Sequence, residues 1–467
     1  MSMSIKSLLS SLTSPNGRFF ALTGFLIIVF LMGGGSRPDI QSLVILRPLA
    51  FGFIAYALIV ATREELKPLK IPLILLGLLG LLMFVQLLPM PQAFWEQLPS
   101  RKPIAEIAEL AGMGELWRPI SMVPSRTLNS LFSLSVPLAA LLLCAIQAPQ
   151  HGRRIVGVLI LLGSFSALLG ALQLAGSGQS ALYLYRVTNA DTPVGLLANR
   201  NHQAVLLASS VLMAAWYFVS FRQMPNRNLE WARIAAALSP LLFLPLIVLT
   251  GSRLGIIVGA TAVFAAGLMV FYRGYVTPDS QKGSAVEKFI AAHRTKITIV
   301  AIVALVALLV LLFSDSLAIR RLVSAKFFED LRADVFPVLL SMAKEHLVFG
   351  TGFGSFENVY RAYETKDLLQ PNYLNNAHND WLQYVIEAGL GGILIALGFL
   401  VWLVIAVWRG YSSGSVRKTS QTDMCLAIIA IIAMASIVDY PLRVPTIMVL
   451  MAFCVVRLAR SSADQKQ

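Results

Sequence analysis

The apolar residues of this chain form a dozen runs, each about as long as a membrane is thick. The runs cover approximately 20–34, 43–61, 71–90, 129–147, 155–175, 202–220, 234–250, 254–272, 297–314, 381–408, 424–438 and 444–456. A helix needs roughly 20 apolar residues to cross the hydrocarbon core of a bilayer. Charged residues make up 13% of the chain, about half of their share in soluble domains. We therefore expect an all-α, polytopic membrane protein with about 12 transmembrane helices in a single membrane domain, 1–467. A soluble enzyme and a secreted disulfide scaffold are excluded.

The lysine and arginine residues indicate which loops face the cytoplasm. With the N-terminus inside, the cytoplasmic segments carry these residues at about twice the density of the opposite segments, as the positive-inside rule expects. Both termini are then cytoplasmic. The net charge of +14 reflects this topology and contact with anionic membrane lipids. No basic stretch is interleaved with aromatic residues, so we expect no nucleic-acid partner.

Three outer segments are long enough to hold a functional site: 91–128, 176–201 and 315–380. The last is a large loop before the tenth span, and loops of this length usually carry a site or a lid. Its residue spacing predicts an amphipathic helix over 334–347. The apolar side of that helix is expected to consist of Val335, Leu339, Met342 and Leu347.

The junction between this loop and the tenth span is the strongest candidate site. The sequence there reads Asn-Asn-Ala-His-Asn-Asp-Trp, and it places His378 at the predicted start of a long helix. On a continuous helix, Gly389 and Gly392 would lie within about 40° of the direction of His378. Small residues let another helix approach closely, so this face is expected to fix the histidine against a neighbour. The alternative is an interfacial histidine that only caps the helix.

Three arginines are expected at the outer boundary of the membrane. A short turn, Thr-Gly-Ser-Arg, ends at Arg253, with Ser252 a good N-cap for the eighth span. A cation is unfavourable at a helix N-terminus, so Arg253 is better explained if it and the free N–H groups face an anion. Arg200 has the same position in the sixth span, and Arg332 precedes the loop helix. Alternatively, Arg253 snorkels to the interface, and Arg332 pairs with a neighbouring carboxylate.

These residue types suit one chemistry. Guanidinium groups bind diphosphates through bidentate, charge-assisted hydrogen bonds. A neutral histidine can deprotonate a hydroxyl, because its unperturbed pKa lies near 6.5. A hydroxyl that attacks a sugar linked to a lipid diphosphate needs both a base and cations that stabilise the leaving group.

Several motifs together resemble the O-antigen ligase family, which also includes O-antigen and exopolysaccharide polymerases. The resemblance covers about 195–400. The matching motifs are Asn199-Arg-Asn-His202, Thr-Gly-Ser-Arg253, Gly350-Thr-Gly-Phe-Gly354 and His378-Asn379, the last followed by nine residues and then Gly389-x-x-Gly392.

The resemblance implies transfer of a glycan from undecaprenyl diphosphate to an acceptor hydroxyl, on the periplasmic face of the bacterial inner membrane. It implies that His378 is the general base, that Arg253 and Arg332 hold the diphosphate with Arg200 as a looser match, and that the anomeric carbon is inverted. Residues 315–380 would then be a periplasmic loop that carries part of the active site. No cofactor or metal is expected, and the outer loops contain no Asp-x-Asp motif. The supporting residues are Asn379, Ser252, Asn199, His202, Gly389 and Gly392.

The motifs do not distinguish between two possible acceptors. Lipid A-core as acceptor makes the protein a ligase, whereas a growing polysaccharide makes it a polymerase. A transporter of lipid-linked sugars is the alternative from another class, but it would place charges near the bilayer midplane. Two acids in or near the spans, Glu387 and Asp439, are left outside the predicted site. Asp439 could pair with Arg443, and Glu387 could bond a neighbouring helix.

Overall fold

The computed structural model describes residues 12–176, 178, 180–223, 230–273, 331–369, 374–412 and 415–463. Its α-helices, numbered in chain order, are α1 (Pro15–Met32), α2 (Leu43–Val60), α3 (Arg63–Leu66), α4 (Lys70–Leu87), α5 (Gln92–Trp95), α6 (Lys102–Leu110), α7 (Pro124–Ser133), α8 (Ser135–Ala145), α9 (Gly152–Ala175), α10 (Arg200–Gln223), α11 (Glu230–Leu238), α12 (Pro240–Leu249), α13 (Arg253–Arg273), α14 (Leu331–Glu345), α15 (Phe356–Tyr360), α16 (Asp380–Ser412), α17 (Val416–Ala435) and α18 (Pro445–Ala463). Short 3-10 helices cover Lys67–Leu69, Pro149–His151, Lys366–Leu368 and Pro441–Arg443. The strands β1 (Pro89–Met90) and β2 (Arg118–Pro119) pair antiparallel.

The helices confirm the all-α, polytopic membrane fold. In the described ranges, ten helical stretches are long and apolar enough to cross a membrane. They correspond to the predicted spans one to eight, ten and twelve. The eleventh predicted span falls on a shorter apolar helix, Thr419–Ala435. The ninth, 297–314, lies outside the described residues.

Helix α10 is the structural centre of the part that the structure describes. Of its most apolar stretch, 89% is buried inside the protein, a larger share than in any other candidate span there. It packs against α9, α13 and α17. Small buried side chains such as Ala204, Ala208 and Ser209 allow these helices to approach closely. The first turn of α10, with the Asn-Arg-Asn-His motif, is therefore held on a rigid support.

Helix α16 is broken one-third of the way along. Gly389 has φ +62° and ψ −155°, a left-handed conformation that favours glycine. The turn at Gly350 occupies the break, since a Cβ atom on Gly389 would lie 2.6 Å from the Gly350 nitrogen. The prediction that His378, Gly389 and Gly392 share one face of a continuous helix is therefore wrong. His378 precedes α16, and Gly392 packs against Tyr384 of its own helix.

Helix α16 approaches its neighbour α4 through other glycines. A Cβ atom on Gly391 would meet Leu82 at 3.1 Å, and one on Gly398 would meet Leu75 at 3.2 Å. The close approach to α4 therefore uses Gly391 and Gly398 rather than Gly392, the residue that the sequence predicts for such a contact.

The outer segments meet beside the broken helix. The Ser121 N–H donates to the Gln86 carbonyl at 2.9 Å, and the Met122 N–H donates to the Thr351 carbonyl at 2.8 Å. The apolar side predicted for α14 is confirmed at Val335, Leu339 and Met342, which are buried. It is wrong at Leu347, which is 43% exposed because α14 ends at Glu345.

Candidate active site

Four segments that are distant in sequence converge at one end of the helix bundle. They are the start of α10, the turn between α12 and α13, the residues before α16, and the loop between α17 and α18. Their meeting point is the carboxylate of Asp439, which is fully buried. We call this end the site side of the protein.

Asp439 is surrounded by hydrogen-bond donors. The Tyr440 N–H donates to Oδ1 at 2.9 Å. The Asn201 side-chain amide donates a short hydrogen bond to Oδ2, and that of Asn199 approaches the same oxygen at 3.5 Å. Donors of this kind stabilise the ionised form of a carboxyl group.

Two imidazoles face the other oxygen of this carboxylate. His202 Nε2 lies 3.6 Å from Asp439 Oδ1, and His378 Nδ1 lies 3.7 Å from the same atom. Both distances exceed a hydrogen bond. Burial raises the pKa of Asp439, but the two histidines outweigh burial and hold the pKa well below its ordinary value. Asp439 is therefore an anion that two imidazoles share.

His378 is held in an unusual backbone conformation. Its φ is +50°, a left-handed value that few residues other than glycine adopt. The flanking residues fix this bend. The Ala377 N–H donates to Gln383 Oε1 at 2.9 Å, and Asn379 Oδ1 accepts from the Leu382 N–H at 3.0 Å, capping α16. Strained backbone of this type concentrates at functional sites.

The histidine rings pack against one aromatic side chain. The Tyr440 ring centroid lies 4.9 Å from that of His378 and 5.2 Å from that of His202. The side chain of His202 is 1% exposed, whereas that of His378 is 22% exposed. Only His378 can therefore meet a molecule that arrives from outside while its Nδ1 faces the carboxylate.

The Thr-Gly-Ser-Arg turn is joined directly to this centre. Ser252 Oγ accepts from the Gly255 N–H at 2.8 Å, the N-cap geometry that the sequence predicts. The same hydroxyl donates to Asn201 Oδ1 at 2.7 Å, and Asn201 in turn donates to Asp439. Arg253, the first residue of α13, thus begins a helix whose cap is two hydrogen bonds from the carboxylate.

The start of α10 is also capped by a side chain. Asn199 Oδ1 accepts from the Asn201 N–H at 2.8 Å and caps the helix. Arg200 is the first residue of α10 and is partly exposed. Two helix N-termini, each beginning with an arginine, therefore point toward the site side. Aligned peptide dipoles make such ends attractive to anions.

Arg443 does not pair with Asp439, contrary to the sequence-based interpretation. Its Nε donates to Asp380 Oδ1 at 3.0 Å, and one of its terminal nitrogens donates to Glu387 Oε2 at 3.2 Å. Burial lowers the pKa of Arg443, but the two carboxylates outweigh burial and raise the pKa above its ordinary value. This cluster ties the loop after α17 to the first half of α16.

Glu387 connects this ionic cluster to the glycine turn, Gly350-Thr-Gly-Phe-Gly354. Its Oε1 accepts from the Gln383 side chain at 3.0 Å and from the Phe356 N–H at 3.3 Å. Its carbonyl accepts from the Gly352 N–H at 3.0 Å and from the Gln86 side chain at 2.9 Å. Glu387 therefore holds the broken helix and the glycine turn together below His378.

The remaining predicted residues lie in different places. The backbone of Arg332 belongs to the first turn of α14, but its side chain lies outside the described residues. Gly389 and Gly392 shape α16 rather than the site itself. No group of three or more histidine, cysteine or acidic side chains placed to hold a metal ion occurs among the residues that the structure describes.

Asp439, which the sequence analysis leaves outside the site, lies at its centre, and Asn201 and Tyr440 are not predicted from the sequence. A signal for Asp439 was present, because an acidic residue at a membrane span is expensive and usually functional. Asn201 lies within the predicted Asn-Arg-Asn-His motif but was not singled out. Nothing in the local sequence marks Tyr440.

The fold and this centre define a polytopic α-helical membrane protein with a polar site at one membrane boundary. Residues 238–397 match the family model described as O-Antigen ligase. The match supports an O-antigen ligase/polymerase-like family, which the motifs predict. The matched region contains Arg253, Arg332 and His378, whereas His202 and Asp439 lie outside it. A comparison with curated proteins gave no match.

Proposed function

We propose that the protein transfers a glycan from a polyprenyl diphosphate, undecaprenyl diphosphate in bacteria, to an acceptor hydroxyl at the site side of the membrane. His378 is the general base. Asp439 orients its ring and stabilises the imidazolium that forms. In the proposed topology the site side is periplasmic, the termini are cytoplasmic, and the membrane is the bacterial inner membrane.

The observation that carries this proposal is the continuous chain of contacts from base to cation-bearing helix. His378 faces Asp439, Asp439 accepts from Asn201, and Asn201 accepts from Ser252, the N-cap of the helix that Arg253 begins. One polar network thus links the proposed base to the cap of the helix that Arg253 begins, which supports the proposal. If His378 and Ser252 had only separate structural roles, they would not need to be joined through Asp439 and Asn201.

The proposed reaction is a single displacement. The acceptor hydroxyl gives its proton to Nε2 of His378 as its oxygen attacks the anomeric carbon. The bond from that carbon to the diphosphate oxygen breaks, and the diphosphate leaves with the electron pair. Because attack comes from the face opposite the leaving group, the product has inverted anomeric configuration.

Cationic groups and helix ends serve the leaving group. Arg253 and Arg200 begin α13 and α10, and Arg332 lies in the first turn of α14. Guanidinium groups and helix N–H groups stabilise the charge that develops on a departing diphosphate. No metal or cofactor is part of the proposal.

The direct test is an assay of the purified protein in detergent or vesicles with undecaprenyl-diphosphate glycan. His378→Ala should abolish transfer with unchanged protein yield and thermal stability, because His202, the other imidazole at Asp439, is 1% exposed and cannot replace it. The matched control is His346→Gln, which changes another imidazole that bonds Tyr363 at 2.8 Å. The control should retain most of the activity. Retained transfer by His378→Ala would rule out the assigned base.

The acceptor is decided in the same assay. We propose lipid A-core as the acceptor, which makes the protein a ligase. A second lipid-linked glycan as the preferred acceptor would instead define a polymerase. If wild-type protein moves the intact donor across vesicle membranes and forms no glycosidic bond with either acceptor, the protein is a transporter.

A further inference from the structure

Residues 92–117 expose an apolar surface outside the membrane-spanning helices. We call this segment the shelf; it contains α5 and α6. Leu110 is 91% exposed, Ile107 67% and Trp117 64%. Phe94, Met113 and Leu116 are also exposed. Groups of exposed apolar residues, unlike single ones, mark interaction sites.

The residues of α6 are sorted by type onto different sides of the helix. At 100° per residue, Ala105 and Ala108 lie on one side of the helix, and both are buried against the protein. Ile107 and Leu110 lie on another side and are exposed. Glu106 and Glu109 lie on a third side, also exposed. The helix therefore has a protein face, an uncovered apolar face and an acidic face.

The shelf follows a candidate membrane span in the chain. Helix α4 precedes the shelf, and its exposed side chains include Leu81, Phe84 and Val85. A candidate span exposes such residues to lipid tails. Because the shelf begins a few residues after the end of this span, it starts at the membrane boundary that α4 reaches.

Polar contacts fix the shelf to the site side. Arg101 is buried, and its guanidinium donates to the carbonyls of Pro99 and Ile120. Ser100 donates to Glu345 at the end of α14 and bonds the Tyr363 hydroxyl at 2.8 Å. The shelf thus cannot tilt without moving α14, whose first turn carries Arg332.

From these observations, we infer that the shelf lies flat in the site-side leaflet of the membrane, with Ile107, Leu110 and Trp117 inserted among the lipids. Amphipathic helices adopt this position by burying the apolar face at the headgroup–acyl boundary. Tryptophan is enriched at that depth. Glu106 and Glu109 then face water. The shelf then holds the outer segment 91–128 at the level of the lipid headgroups. This inference does not depend on the reaction that the site performs.

The test measures depth with a fluorophore on opposite faces of α6. Ile107→Cys and Glu109→Cys, about 160° apart on the helix, are made in a protein whose three buried cysteines, Cys144, Cys425 and Cys454, are replaced by alanine. Each variant is labelled with an NBD group and reconstituted into phosphatidylcholine–phosphatidylglycerol vesicles. Quenching is measured with a shallow nitroxide lipid, a deep nitroxide lipid and aqueous iodide. A label at position 81 on α4 serves as the reference for the hydrocarbon core.

The expected result is a contrast between the two faces. The label at 107 should be quenched by the shallow nitroxide at least about threefold more than the label at 109, because an interfacial helix sinks only about 5–10 Å. The label at 109 should respond to iodide. Iodide quenching at both positions would overturn the inference, because the shelf would then stand in water. Equal nitroxide quenching at both positions would also overturn it. Protection of position 107 from every quencher would also overturn the inference, because protein and not lipid would then cover this face.

Discussion

Asp439→Asn separates the charge of the buried carboxylate from its shape. The asparagine side chain has nearly the same volume, so the cavity among His202, His378 and Tyr440 stays filled. The negative charge 3.7 Å from His378 Nδ1 is lost. At an effective dielectric constant of about 20, one such attraction is about 4 kcal/mol. The 22% exposure of the His378 side chain lets water replace part of it. We therefore expect kcat to fall about 10²- to 10³-fold, since each 1.4 kcal/mol is a factor of ten.

The assay is single-turnover transfer from a radiolabelled lipid-linked donor, with acceptor in excess. Asp439→Asn should lower the rate of the chemical step and leave donor binding nearly unchanged, because Asp439 acts on the imidazolium and not on the substrate. The matched control is Asp39→Asn. Asp39 bonds Arg37 locally at 2.9 Å, and its loss should leave the rate unchanged. A loss in kcat below about tenfold, or 1.4 kcal/mol, in a variant with unaltered melting would refute the assigned role of Asp439.

Three further outcomes follow from the geometry. Arg253→Lys should impair transfer strongly although it keeps the charge, because an ammonium group cannot form the bidentate fork; near-normal kcat/KM in the donor-dependence assay would mean that this arginine only snorkels. Gly389→Ala should lower the unfolding free energy by more than about 2 kcal/mol, from the left-handed φ and the backbone contacts at 2.6–2.8 Å. Gly77→Ala, where a Cβ atom meets nothing within 4 Å, should not lower the melting temperature, and equal melting of the two variants would contradict the packing at the break. EDTA should leave transfer unchanged, and inhibition that Mg²⁺ or Mn²⁺ reverses would show that a metal is required.

The membrane fold was predictable because its main determinant is local. A run of about 20 apolar residues is stable across a bilayer whatever its neighbours are. Helix caps were predictable for the same reason, since Ser252 bonds an N–H group only three residues ahead. Such features need no knowledge of tertiary structure.

The break in α16 and the role of Asp439 were not predictable in this way. Glycine is common in membrane helices, so Gly389 looks like any other small residue until the Gly350 turn is seen to occupy the break. Asp439 lies four residues from Arg443, and local pairing was the simplest interpretation. In the structure, Arg443 instead pairs with Asp380 and Glu387. Asp439 faces His202 and His378. Only the packing of segments that are far apart in sequence decides between these pairings.

The position of Asp439 also has a consequence for biogenesis. This residue lies between α17 and α18, the last two helices of the described chain, while its partners Asn201 and His202 were synthesised more than 200 residues earlier. A ribosome-bound intermediate that has inserted α10, α13 and α16 thus lacks the anion on which the proposed chemistry depends. On the proposed mechanism, we therefore expect a chain truncated before residue 439 to show no transfer, because it lacks the carboxylate that orients His378.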